Sequence, residues 1–178
     1  MKHQFGILAL LLAIVPLPAA ANDAQDAAKV AAGFYQVHQQ SSQDGIPDAK
    51  QRAKYASYIS PELEKLLIDA DSAETRFVKA NKDSPPMIEG DLFSPNFEGI
   101  TSFEVGACAP KGASMQCRMQ LHFAATHPRP QDWTDTMTLV KAPEGWRVDD
   151  IAYGGNWDFG NHGTLKAILR DVIADAGP

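Results

Sequence analysis

A chain of 178 residues, 44% apolar and 21% charged, has the balance of a soluble globular protein and is neither a disordered nor a collagen-like composition. Sixteen Lys and Arg stand against 22 Asp and Glu, a net charge of −6, so the basic footprint that a nucleic-acid surface needs is missing.

In chain order the first feature is a leader. Apolar residues crowd the front, 15 of the first 21. Lys2 supplies a positive start, Phe5 to Val15 is apolar apart from Gly6, and Pro16 and Pro18 precede Ala19-Ala20-Ala21. This pattern predicts a secretory signal peptide over residues 1–21, cleaved between Ala21 and Asn22. The apolar run is shorter than the ~20 residues of a membrane span, which disfavours an uncleaved anchor. No cysteine lies near the cleavage site, and no later run approaches spanning length. The expectation is one acidic domain over residues 22–178, periplasmic or secreted, with neither membrane span nor lipid anchor.

Ala27, Val30, Ala31, Phe34 and Val37 recur at helical spacing and predict a helix near 23–40. A polar break from Ser41 to Pro47 precedes a second helical stretch, near 48–58, with Tyr55 and Ile59 available to face inward. Ser60-Pro61-Glu62 is a helix start: a capping hydroxyl, a proline at the first helical position and an acid in the first turn. Leu63, Leu66, Leu67, Ala70, Phe77 and Val78 form the expected buried stripe, and Asp83-Ser84-Pro85-Pro86 stops the helix near Lys82. Glu89 to Gly99 reads as an irregular connection plugged by Leu92, Phe93 and Phe97.

Period two then takes over. Phe103, Val105 and Ala107 mark a first strand. Cys117, Met119, Leu121, Phe123 and Ala125 alternate with polar or small residues in a second, and Trp133, Asp135, Met137 and Leu139 alternate with threonines in a third. Pro143-Glu144-Gly145 turns the chain into a fourth strand, Trp146 to Tyr153. There Trp146 and Val148 share one parity while Ile151 and Tyr153 share the other. A β-bulge at Asp149-Asp150 would put all four on one face. Leu165, Ile168, Leu169, Val172 and Ile173 form a closing amphipathic helix. Helices followed by a run of antiparallel strands predict an α+β fold: a curved four-stranded meander packed by the N-terminal helices and a C-terminal helix.

In an exported chain Cys108 and Cys117 are most simply a disulfide, stapling the turn-rich stretch Ala109 to Ser114 as a hairpin loop and contributing about 3 kcal/mol. They lack the Cys-x-x-Cys spacing of redox pairs, and no histidine stands at finger spacing for zinc.

Phe34-Tyr35, Ser60-Pro61-Glu62-Leu63, Gly90-Asp91-Leu92-Phe93 and Gly145-Trp146-Arg147-Val148-Asp149-Asp150-Ile151-Ala152-Tyr153, ahead of a Thr-Leu helix start, together resemble an uncharacterised family of small secreted bacterial proteins. That family is grouped as a domain of unknown function in the cystatin-like, nuclear-transport-factor-like superfamily, and the similarity covers residues 24–174. Two features depart from it: Asp91-Leu92-Phe93 replaces the family's Asp-Pro-Phe, and Gly154 to Gly163 lengthens the link before the last helix. The resemblance implies a strongly curved sheet packed by helices, and it supplies no catalytic residues.

Asp149 and Asp150 are the obvious acidic pair, yet neighbouring strand residues point to opposite faces unless a bulge intervenes. One of them could still serve as a base in a sheet cavity, with Tyr153 or His122 as hydrogen-bond donor. His122 and His127 fall on opposite strand faces, poor geometry for a metal, and His38 and His162 read as locally bonded or surface residues. No Gly-x-Ser-x-Gly is present, and the glycine-rich loop Gly154 to Gly163 has no phosphate-loop lysine. Within that loop Asn156, Trp157, Phe159 and His162 are candidate binding residues; the alternative is that Trp157 and Phe159 fold back and cap the core.

Two functions follow as expectations. The first is a non-enzymatic exported protein, without metal or cofactor, that binds a protein partner or a small apolar ligand in the concavity of its sheet; an immunity protein is one form of it. The second is a cavity enzyme of the isomerase or dehydratase type with an Asp base.

Overall fold

The computed structural model describes residues 19–41, 44–124, 130–155, 157 and 160–177. Residues 1–18 of the leader, Ala125, His127, Asn156 and Phe159 lie outside them. The elements are α1 (Ala19–Gln39), α2 (Ala49–Tyr55), α3 (Pro61–Ala80), β1 (Ser102–Lys111), β2 (Ser114–Phe123), β3 (Gln131–Ala142), β4 (Gly145–Ala152) and α4 (Leu165–Asp175). The fold is α+β. Its one sheet among the described residues is an antiparallel meander in the order β1-β2-β3-β4.

Local chemistry starts each helix. Asp48 and Gln51 cap α2 reciprocally, side chain to backbone, at 2.8 Å each way. Ser60 Oγ accepts from Leu63 N–H at 3.0 Å ahead of Pro61, as the sequence predicts. Thr164 caps α4 through Ala167 N–H at 3.3 Å. Helix α1 runs from Ala19 past the expected cleavage point, and Asp23 just beyond it accepts from Lys141 Nζ and from Trp146 Nε1.

Helix α1 lies across the inner face of the sheet against β1, β2 and β4, while α3 and α4 pack on one another beside β4. Between them sit Phe34, Tyr35, Leu63, Leu67, Met119, Leu121, Met137, Leu139, Ile151 and Leu165, all at most 2% exposed. Each such large apolar side chain contributes on the order of 1.5–3 kcal/mol.

The bulge in β4 falls where the parity break puts it. Thr138 pairs with Asp150 and Leu139 with Val148, so Asp149 is the extra residue and Trp146, Val148 and Ile151 all face the core. A second bulge lies in β1, where Val105 pairs with Met119 and Cys108 with Cys117, leaving Gly106 and Ala107 opposite Arg118 alone. Cys108 therefore shares the face of the buried Cys117, and the two form a disulfide.

Four expectations are corrected. Ala109 to Ser114 is not a loop: both strands continue past the disulfide, Pro110 sits opposite Met115, and Gly112 and Ala113 make the turn. Proline is tolerated because β1 is an edge strand, and Gly112 supplies the positive φ of 60° that a tight hairpin turn uses. Ala107 is exposed, displaced by the second bulge. In α3 the stripe is Leu63, Leu67, Ala70 and Ala73, with Phe77 half-buried and Val78 40% exposed. Glu62 meets Lys166 and Arg170, so the shorter α4 packs along the first turns of α3 and the last turns outrun it. Phe97 is 53% exposed, because its carbonyl, accepting from Asp91 N–H, is the part turned inward.

Candidate functional site

The two ends of the sheet differ. Both tight hairpins, at Gly112-Ala113 and at Pro143-Glu144, close one end, together with the disulfide and the Asp23–Lys141–Trp146 clamp. The strand ends that lead into the long connections, Ser102, Phe123, Gln131 and Ala152, lie at the other end. Binding groups in such folds concentrate on loops that a rigid scaffold positions.

The acids singled out from sequence are held as fasteners. Asp149 accepts from Ser60 Oγ at 2.6 Å and from Lys166 Nζ at 3.0 Å, and Lys166, only 6% exposed, also meets Glu62 at 2.7 Å. Asp150 Oδ1 accepts from Ile151 N–H at 2.9 Å and Lys166 N–H at 3.0 Å. The bulge thus ties the starts of α3 and α4 to β4. Tyr153 turns inward and donates to Leu92 O at 2.6 Å; burial first, then the charge of Asp91, pushes its phenol well above the usual value of 10. His122 is paired with Asp132 at 2.6 Å on the opposite, solvent-facing side of the sheet. The structure does not bring Asp149, Asp150, Tyr153 and His122 together.

In the glycine-rich link Trp157 stacks edge-on against Trp133, centroids 5.0 Å apart at 87°. A Cβ on Gly155 would lie 1.7 Å from the Trp157 ring, so glycine is needed for that contact. Asn161 Nδ2 donates to Asp91 O at 2.7 Å and Ser94 O at 2.9 Å, pinning the link to the core, while His162 is exposed.

Sequence reasoning passed over a buried polar hub. His38, 1% exposed, bonds Asp91 Oδ2 through Nε2 at 2.8 Å and Tyr55 OH through Nδ1 at 3.2 Å. Asp91 Oδ1 accepts from Phe93 N–H at 2.7 Å, and Tyr35 OH donates to Phe93 O at 3.2 Å. Every ring nitrogen and carboxylate oxygen of the pair is engaged, so His38 and Asp91 hold the connection to α1. A signal existed: His38 lies one turn beyond Phe34 on the buried stripe of α1.

Asp135 differs from the other acids. It follows Trp133 on the inward parity of β3, is fully buried, and accepts from Gly154 N–H at 2.8 Å through Oδ1 alone. That approach needs glycine, since a Cβ at residue 154 would lie 1.9 Å from Thr134 O. Burial pushes the Asp135 carboxyl up to about 7; the Gly154 and Trp133 N–H groups oppose the shift and Asp91 adds to it. Asp135 Oδ2, Trp133 Nε1 and Gln131 Oε1 are buried polar atoms without a hydrogen-bond partner. Each such group costs on the order of 1–3 kcal/mol if left dry.

On the solvent face of the same end, three consecutive residues from each of β1, β2 and β3 line a groove of about 440 Å³. The alternation of the strands places the side chains of Ser102, Glu104, Gln120, His122, Asp132 and Thr134 there. By contrast the crevice beside His38, Tyr55 and Asp91 holds about 10 Å³, the space of one water. Among the described residues no three His, Cys, Asp or Glu side chains converge for a metal ion, and no helix is long and apolar enough to cross a membrane. Comparison with protein-family models, curated proteins and solved structures finds no match for this chain.

Proposed function

We propose that this is an exported, non-catalytic protein of the cystatin-like, nuclear-transport-factor-like kind, periplasmic or secreted after cleavage before Asn22, that docks a protein partner on the solvent face of its sheet at the loop end. The observation that carries the reading is the groove of about 440 Å³ on the solvent face, lined by three consecutive residues from each of β1, β2 and β3. Packed side chains occupy the inner face, which moves the reading away from an apolar ligand between sheet and helices. Glu104 and Asp132 make the groove acidic, so a partner segment carrying Lys or Arg fits it.

The test is retention of a protein from periplasmic extract on the wild type and on a Glu104→Arg/Thr134→Arg variant, with thermal stability measured in parallel. A protein held by the wild type and lost by an equally stable variant supports the reading. Equal retention by both, or none by either, counts against it.

The enzyme reading keeps one specific support. Its base moves from Asp149 and Asp150, whose carboxylates bond Ser60, Lys166 and backbone N–H groups, to Asp135, which has a free oxygen and a carboxyl poised at about 7. Proton exchange into small ketones, followed in deuterated water, should then depend on Asp135; rates equal to those of an Asp135→Asn variant would remove it.

A further inference from the structure

The solvent face of the sheet carries its charges in order. Directly paired residues share a face, so the strand register gives the rows of that face. At the loop end stand His122 and Asp132, then Glu104 with Gln120 and Thr134. Arg118 and Thr136 form the middle row, and Ala109, Gln116 and Thr138 the next. Lys111, Ser114, Val140 and Arg147 close the hairpin end. The acids therefore sit at one end and the bases from the middle to the other. The ion pairs of this face are His122–Asp132 and the 3.9 Å contact of Arg147 with Glu144 in the turn, so Glu104, Arg118 and Lys111 are exposed and unpaired among the described residues. No helix covers the face among those residues, since α1 lies on the inner one and α3 and α4 pack beside β4. The edges, by contrast, are closed to strand pairing. Along β4, Ser60 N–H donates to Val148 O at 2.8 Å and Val148 N–H to Tyr58 O at 2.7 Å; along β1, the bulge at Gly106-Ala107 and Pro110 break the ladder.

We propose that the partner on this face is a second copy of the chain, stacked sheet to sheet about a two-fold axis that crosses the strands between Thr136 and Thr138. The inference rests on the docking reading and names its partner. Such an axis turns one copy end for end, so the acidic end of each meets the basic end of the other, twice over. By the register it sets Glu104 over the second copy's Lys111, Arg118 over Gln116 and Thr136 over Thr138, and carries Asp132 toward Arg147. Stacked sheets approach to about 10 Å. The short side chains of Ala109, Thr136 and Thr138 permit that approach, while Glu104 and Lys111 are long enough to meet across it. Strands of 8 to 12 residues, at ~3.3 Å per residue and ~4.8 Å apart, give a face of roughly 600 Å². Two copies would then bury about 1,200 Å², the lower end of stable interfaces. A different protein would have to supply a matching pattern, whereas the order of charges on this one face is its own complement. The protein retained from periplasmic extract is then the chain itself.

The experiment is analytical ultracentrifugation of the mature chain from micromolar to submillimolar concentration, in low and in high salt. The wild type should form a dimer that salt weakens. Glu104→Lys and Lys111→Glu should each weaken it by about tenfold or more, because each sets like charges opposite one another at two symmetric positions. Mixed in equal amounts, the two variants should associate as tightly as the wild type, since every swapped residue then faces its opposite. Should either single variant not fold, the doubly swapped Glu104→Lys/Lys111→Glu chain should dimerise by itself. A wild type that stays monomeric throughout overturns the proposal, and so does a dimer indifferent to both swaps or a pair of variants that stay apart when mixed. A monomeric chain that still retains a different periplasmic protein through Glu104 overturns the second copy alone and leaves the docking reading standing. One that retains nothing removes both.

Discussion

The hairpin end and the loop end of one sheet follow opposite rules. At the hairpin end the buried cysteine is bridged, the Trp146 N–H is bonded to Asp23, and two-residue turns leave little backbone to satisfy. At the loop end the unpartnered buried atoms gather, an acid sits without a counter-charge among the described residues, and glycines bring backbone close to side chains. Same strands, same register, different treatment of polar groups: stability is concentrated where the strands turn, and unmet hydrogen-bonding capacity where the loops meet. That division is the expected signature of a scaffold carrying a site.

Asp135 offers the strongest way to break the comparison. A carboxyl raised from 3.8 to about 7 binds its proton more tightly folded than unfolded, so stability is full below about pH 4 and is lost as pH rises through about 7. At ~1.4 kcal/mol per pH unit the loss approaches about 4 kcal/mol. Denaturant melts of wild type and Asp135→Asn between pH 4 and pH 8 should diverge by about that amount, with the wild type losing ground. Parallel curves would show that the loop end carries no such acid.

At the hairpin end, Cys108→Ala/Cys117→Ala should cost about 3 kcal/mol. Calorimetry should then show the melting temperature fall by about 6–12 °C. Trp157→Ala should cost about 2 kcal/mol through lost area and the lost stack on Trp133. A change too small to detect thermally would return Trp157 to the role of a free binding residue. His122→Ala is the smallest effect, within about 0.5 kcal/mol, because its partner Asp132 is 83% exposed and such pairs contribute little. A larger loss in an equilibrium melt would show that the groove is part of the stabilising structure and not a free face.

Much of the fold was legible residue by residue. The parity break between Val148 and Ile151 marks the β4 bulge because four large side chains carry the phase on either side of it. The β1 bulge at Gly106-Ala107 leaves no such mark, since neither residue has a side chain large enough to show a change of face. The stripe of α3 fades at Phe77 and Val78 because a stripe records what a helix can bury, not how far its partner extends. Of the site, the inward parity of Asp135 between Trp133 and Met137 was readable. Its missing partner was not.

What the sequence by itself determined is what depends on neighbours within a turn or along a strand: the cap at Ser60, the alternation of the strands, and the facing cysteines. Tertiary structure alone decided which polar groups are satisfied. The partners of His38, Asp91 and Asp135 lie 53, 70 and 19 residues away in the chain, and no local pattern encodes a contact at that range. Asp149 and Asp135 are both acids on strands of one sheet. Only the packing of α3 and α4 over the first, and of Gly154 against one oxygen of the second, makes one a fastener and leaves the other with capacity to bind.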